Sequence, residues 1–531
     1  MNNKSVKKVT EKELKELYFK ITENKGKPID HFEITALLET NGLRDIDAKE
    51  IYNEENLFEL AKKLFKFVDE KEDYYEKHII IQEDFEENTV KRYLQNYVRG
   101  LAFALPMLVQ IVATLVLGYA IWSSLKLTLE DATAIAIGTL SALVVVGGSA
   151  QAIGRKGLFY LKMNEFILAR NVTILVYALT IILIIALSLF SVLFNFIFSV
   201  FPPHFFHLSL IFFVELSIFF LTLSIFYMFE SYTLIVVITF VGMVLVYLFY
   251  RLLNVDIPVS QEYALFFLNI VSIIFAGIKV YRLKYKNILA EGDILPKPSA
   301  LFYSLYPYFL YGLFYFAFQV IDRFVAWSAP ANIPYFIWFN VSYELGLDWA
   351  LIVLVFMMGV TEVSIFEFMH KINDLVTNIS HKDVHIFNSI VYNYYKRFNI
   401  FYFLYAVIIF VLTFLVVYIP DKLFHLYFLR AFFIQPTINI FFVASVAYIL
   451  LVNSLMNILF MFSLSRHETP VRYIRYAVIA DILIGIILSR AFGYPYAVVG
   501  LLVGSIIFWY GTFKYTNRMF QNLDYFYYSA Y

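Results

Sequence analysis

The chain has 531 residues, of which 60% are apolar and 16% are charged. Ordinary soluble domains are about 45–50% apolar and about 25% charged, so this chain cannot bury its apolar surface in one water-soluble core. Its solvent must be lipid. The formal net charge is zero, which gives no case for a nucleic-acid partner. The absence of cysteine excludes disulfides, thiolate metal sites and a cysteine nucleophile.

The first 98 residues form the only stretch of soluble character, which we interpret as a cytoplasmic helical domain with an adaptor or regulatory role. Thr10 and Glu13 fit the capping box of a first helix, and Asp30 with Glu33 begins a second helix that ends at Gly42. A third segment, ENLFELAKKLFKFVDEK, has apolar residues at helical spacing, and NTVKRYLQNYVRG leads into the membrane.

From residue 101 onward, apolar runs of about 20 residues recur, each long enough to cross ~30 Å of hydrocarbon. The predicted transmembrane helices lie near 101–123, 132–153, 172–198, 206–228, 232–252, 261–281, 301–325, 348–370, 399–419, 437–463, 474–489 and 493–513. We therefore predict an all-α polytopic membrane protein with about twelve transmembrane helices in two six-helix bundles. The predicted domains are a helical domain at 1–98, a first bundle at 99–281, a linker at 282–300, a second bundle at 301–515 and a tail at 516–531.

Basic residues concentrate in alternate loops, which predicts the orientation in the membrane. If the N-terminal domain is cytoplasmic, the inside loops hold Arg155, Lys156, Lys162, Arg170, Arg282, Lys284, Lys286, Lys371, Lys382, Lys396, Arg397, Arg466, Arg472 and Arg475. The outside loops hold Lys126, Arg251, Arg323, Lys422, Arg430 and Arg490. We expect a multi-pass protein of the inner membrane with both termini in the cytoplasm.

Ionisable side chains inside a membrane are costly, so each is a functional candidate by default. Glu215 in the fourth span and Glu362 in the eighth are predicted to lie deep in the membrane. Because desolvation disfavours the charged form of a carboxylate, such groups could couple transport to protons. Asp481 in the eleventh span is either a third coupling group or a residue that caps or snorkels at the inner surface.

Two acidic motifs suggest chemistry that we weigh against simpler interpretations. Glu367 and His370 have the E-x-x-H spacing of di-iron bundles, but one copy at a membrane edge is weak, and neither a metal nor a cofactor is expected. Glu130 and Asp131 could be the acidic pair of a membrane glycosyltransferase. The simpler interpretation places both residues at the N-terminus of the second helix, where the helix dipole favours anions.

Two stretches, GGSAQAIGRKG after the second span and FGYPYAVVGLLVGSIIF near the end, stand out along the spans. They resemble a large exporter superfamily that includes multidrug extruders and lipid-linked oligosaccharide flippases, the MOP superfamily. Three further stretches are YGLFYFAFQVIDRFVAW in the seventh span, SYELG at the start of the eighth and the tail NLDYFYYSAY. Through them the chain most resembles, within the superfamily, the Pel-type exopolysaccharide exporters, the PelG family. The likeness spans roughly residues 95–531, and the N-terminal domain does not align.

The resemblance implies a V-shaped bundle whose halves alternate between inward and outward openings and move a polysaccharide across the inner membrane. It also implies a cytoplasmic glycosyltransferase and further membrane subunits as partners. Asp322, Arg323 and Trp327 match the family pattern of the seventh span, although an interfacial ion pair between the first two is an equally simple interpretation. The remaining substrate-pathway candidates are hydrogen-bonding or aromatic groups: Gln110, Gln319, Tyr311 and Tyr315.

Four functions follow from these patterns, and the one not described further is a purely structural scaffold, which the absence of a hydrated cavity between the two halves would support. The first is a polysaccharide exporter or flippase without catalytic chemistry, in which tyrosines either stack on sugar rings or only pack. The second is a cation-coupled antiporter for small molecules, which requires a buried carboxylate. The third is a membrane glycosyltransferase or glycan ligase, which would depend on Glu130 and Asp131, whereas an exporter would not.

Overall fold

The computed structural model describes residues 11–22, 28, 30–67, 87–283, 297–330, 333–379, 384–424 and 432–529. These ranges are almost entirely helical and contain no β-strand. They separate into two compact units. The first comprises Met1–Asn96, Val363–Ile400 and Asn517–Tyr531, and the second comprises Tyr97–Glu362 and Phe401–Thr516. The domain boundaries that we expect from the sequence stay a prediction.

Four short helices form the N-terminal part of the first unit: α1 (Glu11–Ile21), α2 (His31–Thr40), α3 (Asp45–Ile51) and α4 (Leu57–Leu64). The predicted start of α2 is confirmed, because the Oδ1 atom of Asp30 accepts a hydrogen bond of 2.9 Å from the backbone N–H of Glu33. The predicted stop is also confirmed, since Gly42 follows α2 with a φ of +84°. Thr10 lies outside the described residues, and α3 was not predicted.

The remaining helices are α5 (Glu87–Leu117), α6 (Leu129–Ala152), α7 (Leu158–Lys162), α8 (Phe166–Phe198), α9 (Pro203–Met228), α10 (Tyr232–Tyr247), α11 (Ile257–Arg282), α12 (Pro298–Trp327), α13 (Val341–Asn378), α14 (Val384–Phe424), α15 (Thr437–Ser463), α16 (Glu468–Phe492), α17 (Ala497–Gln521) and α18 (Leu523–Tyr528). A π-helical turn, Ile153–Gly157, joins α6 to α7, and a second one, Leu248–Leu252, extends α10. Each of the twelve predicted spans overlaps one of these helices, although the ends of most of them differ.

Ten helices of the described chain are long and apolar enough to cross a membrane. An eleventh is added if α5, which bends by 65° before Pro106, counts as one span. The predicted span at 474–489 lies within α16, which is helical but is not among the ten. That helix contains Arg472, Arg475 and Asp481, which lowers its hydropathy. The chain is thus a multi-pass membrane protein, whereas its membrane and its orientation stay predictions.

An aromatic ridge organises the first predicted bundle. Phe205, Phe212, Phe219 and Phe226 follow one another at seven-residue intervals along α9, and each is at most 1% exposed. Because seven residues are close to two helical turns, the four rings share one face. This face packs into a core with residues of α6, α8 and α11. Burial of aromatic surface therefore positions α9 against α6 in the second unit.

Small residues let α6 and α12, which belong to different predicted bundles, approach closely. A methyl group on Gly312 of α12 would overlap the backbone carbonyl of Gly147 of α6. One on Gly148 would lie 2.7 Å from the backbone oxygen of Phe309. Glycine thus permits backbone contact between the two helices, as at other membrane helix crossings.

The rest of the first unit is held by polar and aromatic contacts between helix ends. Arg92 of α5 donates hydrogen bonds of 2.8 and 2.9 Å to the two carboxylate oxygens of Glu367 of α13. Asn388 of α14 donates a hydrogen bond of 2.7 Å to Asp524 of α18. The E-x-x-H motif therefore has its glutamate engaged by an arginine. No group of three or more metal-ligating side chains occurs among the described residues.

Candidate functional site

A cluster of ionisable side chains lies inside the second unit, where α12, α13, α15 and α16 meet; we call it the acidic cluster. It consists of Asp322, Arg323, Tyr343, Glu344, Asp348, Tyr448 and Asp481. Asp322 is fully buried. Its Oδ2 atom accepts a hydrogen bond of 2.9 Å from the hydroxyl of Tyr343, and its Oδ1 atom is buried with no hydrogen-bond partner among the described residues.

Arg323 pairs with a glutamate on α13 and not with its sequence neighbour. Its Nε atom lies 3.4 Å from the Oε2 atom of Glu344, and each of these side chains is 11% exposed. The other oxygen of Glu344 accepts a hydrogen bond of 3.0 Å from the indole N–H of Trp327. The expected interfacial pair of Asp322 with Arg323 is therefore wrong. Trp327 is fully buried and positions Glu344 by hydrogen bonding.

Asp481 contributes a second fully buried carboxylate to the acidic cluster. It lies close enough to Asp322 for the two groups to interact electrostatically. Neither carboxylate oxygen of Asp481 has a hydrogen-bond partner in the described part of the chain. A Cβ atom on Gly500 of α17 would lie 2.7 Å from its Oδ1 atom, so the glycine makes room for this side chain. The interpretation of Asp481 as a cap at the inner surface is wrong, because the residue faces the helix bundle.

The charge of the acidic cluster defines what it can bind. Three carboxylates, those of Asp322, Glu344 and Asp348, interact with one guanidinium, that of Arg323, and the fourth, that of Asp481, interacts with Asp322. Full ionisation would therefore give four negative charges against one positive charge. Three uncompensated charges in a membrane interior are energetically prohibitive. The cluster must therefore take up positive charge, and the unpartnered oxygens of Asp322 and Asp481 are the atoms available to receive it.

A line of polar side chains runs along α12 from its N-terminal half to the acidic cluster. Tyr311, Tyr315, Gln319 and Asp322 recur at intervals of four, four and three residues, which places them on one helical face. The rings of Tyr311 and Tyr315 are 5.8 Å apart, and Gln319 lies beside the hydroxyl of Tyr315. Four of the predicted pathway residues thus form one continuous polar face.

The other predicted coupling residues lie elsewhere in the second unit. The Oε2 atom of Glu215 of α9 is buried without a hydrogen-bond partner among the described residues, and it interacts electrostatically with Glu262 of α11. Glu362 interacts with Arg155, Arg99 and Lys162. It therefore lies near the helix ends that carry these basic residues, which we call the basic end; its depth in the membrane stays a prediction.

Gln110 has a structural role in the connection between α5 and α6. Its Oε1 atom accepts a hydrogen bond of 2.9 Å from the backbone N–H of Ile121. Gln261 donates to the backbone oxygens of Ala120 and Ser123 in the same loop. Gln110 therefore fixes a loop at one end of the spans and does not lie on the polar face of α12.

The acidic pair Glu130 and Asp131 occupies the first turn of α6. The backbone N–H of Asp131 donates a hydrogen bond of 3.1 Å to the hydroxyl of Thr128, the N-cap residue. Glu130 accepts a hydrogen bond of 3.1 Å from the hydroxyl of Tyr335. These contacts are those of the simpler interpretation, in which the pair stabilises a helix N-terminus.

Glu344 and Asp348 were not singled out from the sequence, although SYELG was noted as a stretch of resemblance. The eighth span was predicted to begin at residue 348, whereas α13 begins at Val341. With the earlier start, both acidic residues fall on one face of a membrane helix at a spacing of four. The i, i+4 spacing of two carboxylates is the signal that could have identified them.

Comparison with known proteins finds similarity of structure alone. No protein-family profile matches the chain, and no curated protein sequence does. The Vibrio cholerae MATE transporter VcmN in its bent form matches with a TM-score of 0.52 and 12% identity, over 83% of this chain and 99% of that one. The eukaryotic MATE transporter AtDTX14 matches with a TM-score of 0.57 and 13% identity, over 81% and 98%.

A third match is a MOP superfamily transporter from Pyrococcus furiosus, with a TM-score of 0.52 and 14% identity over 81% of this chain and 97% of that one. Its description states that a reversed polarity of the binding pocket suggests a different function for that protein. The chain therefore has the fold of MATE-type transporters of the MOP superfamily, as the resemblance implies. The PelG family itself, a substrate and the V-shaped arrangement stay predictions.

Proposed function

We propose that this chain is a transporter of the inner membrane that exports or flips a polysaccharide by alternating access between its two helical bundles. The transporter part of the proposal is supported by the fold, which is similar to that of proteins described as MATE transporters. The polysaccharide part is supported by the resemblance to Pel-type exporters and by the tyrosines on the polar face of α12. Partners would be a cytoplasmic glycosyltransferase and other membrane subunits.

The observation that carries a coupled mechanism is the burial of Asp322 and Asp481 next to one another with unpartnered oxygens. A proton taken up by this pair relieves the repulsion between two carboxylates in an apolar setting. Protonation therefore changes the packing preference of α12 against α16. Since α12 also contacts α6 through Gly312, such a change is transmitted to the contact between the bundles.

The test compares secreted polysaccharide from three strains: the host, a host that lacks this chain, and the deletion strain that expresses the chain again. Sugar composition and mass of the extracellular polymer are measured, together with the intracellular polymer. We expect the deletion to abolish the extracellular polymer and leave intracellular material. Unchanged secretion in the deletion strain would contradict the proposal.

A cation-coupled small-molecule antiporter is the second candidate, and the acidic cluster favours it equally. This function is tested with the purified chain in liposomes that hold an imposed pH gradient. Gradient-dependent movement of a fluorescent organic cation, combined with normal polysaccharide secretion in the deletion strain, would establish the antiporter in place of the exporter.

A further inference from the structure

At the basic end of the second unit, a cationic side chain lies beside two helices of the other predicted bundle. Arg155 belongs to the π-helical turn Ile153–Gly157 that follows α6. Its guanidinium carbon is 5.2 Å from the centre of the Phe462 ring of α15, and it interacts electrostatically with Tyr308 and Tyr311 of α12. Single π turns inside helices often mark functional sites because the extra residue redirects a side chain.

Arg155 lacks a counter-ion within the described ranges. It makes the ring contact with Phe462 but forms neither an ion pair nor a hydrogen bond there. Glu362 is near enough to attract it but does not pair with it. A guanidinium offers only donors, and a partly buried cation without an acceptor is unfavourable. The absence of an acceptor requires an explanation.

Two further polar groups at this position also have unused hydrogen-bonding capacity. Tyr311 is 1% exposed, and its hydroxyl is buried without a hydrogen-bond partner among the described residues. The side chain of Gln151, one turn before Arg155 on α6, packs against Gly312 next to Tyr311. Its amide makes no hydrogen bond within the part of the chain that is described. A guanidinium, a hydroxyl and an amide, each with unused hydrogen-bonding capacity, thus lie near one another.

We infer that Arg155, Tyr311 and Gln151 form a binding site for a phosphate group carried by the transported molecule, an inference that rests on the proposed function. Arginine presents paired N–H donors that match phosphate oxygens. A phosphate group has three or four oxygens in a tetrahedral arrangement, so it can accept from donors on two helices at once, and we choose it over a carboxylate on this ground. The rings of Phe462 and Tyr308 flank the cation and supply apolar surface for the part of the molecule attached to the phosphate.

The site is tested by equilibrium binding to the purified full-length chain in an uncharged detergent at low ionic strength. The probes are decyl phosphate, which resembles a lipid phosphate, inorganic phosphate and glucuronate. We expect saturable binding of decyl phosphate. Arg155→Gln should weaken it at least tenfold because a charge-assisted contact is lost, and Tyr311→Phe should weaken it about threefold because one hydroxyl is lost.

The matched control is Lys156→Gln, since Lys156 lies on the same turn but over the rings of Phe159 and Tyr160. This variant should bind decyl phosphate as the native chain does. Arg155→Lys retains the charge without the paired donors and should bind with intermediate strength. Tighter binding of inorganic phosphate than of decyl phosphate would indicate that the site binds a free phosphate ion and not a phosphate group attached to the transported molecule.

Equal binding of decyl phosphate by Arg155→Gln and the native chain would overturn the site, as would binding of glucuronate alone. Arg155→Gln and Tyr311→Phe are first compared with the native chain by size exclusion and circular dichroism, so that a folding defect is recognised. The binding assay needs no transport. If the chain does not bind phosphate but polysaccharide secretion still depends on it, only this inference fails. If the chain binds phosphate but secretion does not depend on it, the proposed function fails.

Discussion

Arg323 of α12 pairs with Glu344 of α13, 21 residues away in sequence, and this ion pair holds the two helices together in the acidic cluster. The indole of Trp327 bonds to the same carboxylate, so Glu344 is fixed from two sides. The ion pair leaves the neighbouring Asp322 without a salt-bridge partner. It therefore both stabilises the second predicted bundle and leaves the uncompensated carboxylate on which the proposed coupling mechanism depends.

Replacement of Arg323 by Met should unfold or strongly destabilise the protein. Removal of one partner of a buried ion pair strands the other charge, at a cost of about 3–5 kcal/mol. Simultaneous replacement of Glu344 by Leu should recover part of the loss, because the carboxylate that Arg323 pairs with is then removed as well; the recovery is partial because Asp322, Asp348 and Asp481 remain in the cluster. Melting temperature in detergent, followed by size exclusion, measures both effects.

The control for this experiment is Arg490→Gln, because Arg490 bonds to Ser328 at an exposed position. It should change the melting temperature little, since exposed polar contacts contribute about 0–1 kcal/mol. If Arg323→Met melts like Arg490→Gln, the pair with Glu344 does not stabilise the bundle.

Replacement of Asp481 by Asn should abolish export while the protein remains folded. Asparagine has nearly the shape of aspartate but cannot take up or release a proton, so the pair with Asp322 loses its coupling function. Secreted polysaccharide in the deletion strain that expresses this variant should fall at least tenfold. A tenfold loss of rate corresponds to an activation free energy that is higher by about 1.4 kcal/mol. Protein abundance in the membrane is measured in parallel.

Asp256→Asn provides the control for the carboxylate, because Asp256 is exposed at the N-terminus of α11. Export should be unaffected by this variant. Normal export by Asp481→Asn would show that the acidic cluster does not couple transport to protons, and the energy source would have to be sought elsewhere.

Replacement of Gly312 by Ala should separate α6 from α12. The added methyl group would overlap the Gly147 carbonyl and lie 2.8 Å from the side chain of Gln151. The backbone of Gly147 cannot move aside as a side chain can. Overpacking of this kind lowers the free energy of unfolding by about 1–3 kcal/mol. A lower melting temperature is expected. Gly277→Ala is the control, since a Cβ there meets no atom within 4 Å, and equal melting of the two variants would contradict the close helix contact.

The helices were predictable from the sequence because their signals are local. Long apolar runs predict the spans, and Asp30 with Gly42 predicts the limits of α2. The partners of buried charges were not predictable in this way, because they depend on which face of a helix meets which neighbour. Asp481 illustrates the difference: hydropathy places it in a helix near a basic loop, whereas contact with Asp322 requires the packing of α16 against α12.

The boundary of a span has a large effect on the candidate site. A start at residue 348 leaves Glu344 outside the membrane and isolates Asp348 at the helix end. The observed start at Val341 brings both residues into the first turns of α13, where they face Arg323. Polar residues at the start of a membrane helix lower the local hydropathy. A prediction from hydropathy alone therefore placed the start of this span too late in the sequence.

Replacement of both Glu130 and Asp131 by Ala should leave export intact, which separates a transporter from a membrane glycosyltransferase. Asp131 interacts with the N-cap Thr128, and Glu130 accepts from Tyr335, so both have stabilising roles that require no chemistry. The loss of favourable charge at a helix N-terminus costs about 0.3–1 kcal/mol for each residue. A slightly lower melting temperature with normal secreted polysaccharide is therefore expected. Thr128→Ala, which removes the N-cap hydroxyl but retains both carboxylates, should lower the melting temperature similarly. If the double variant folds as Thr128→Ala does but secretes no polymer, the acidic pair acts chemically and an enzyme becomes the better description.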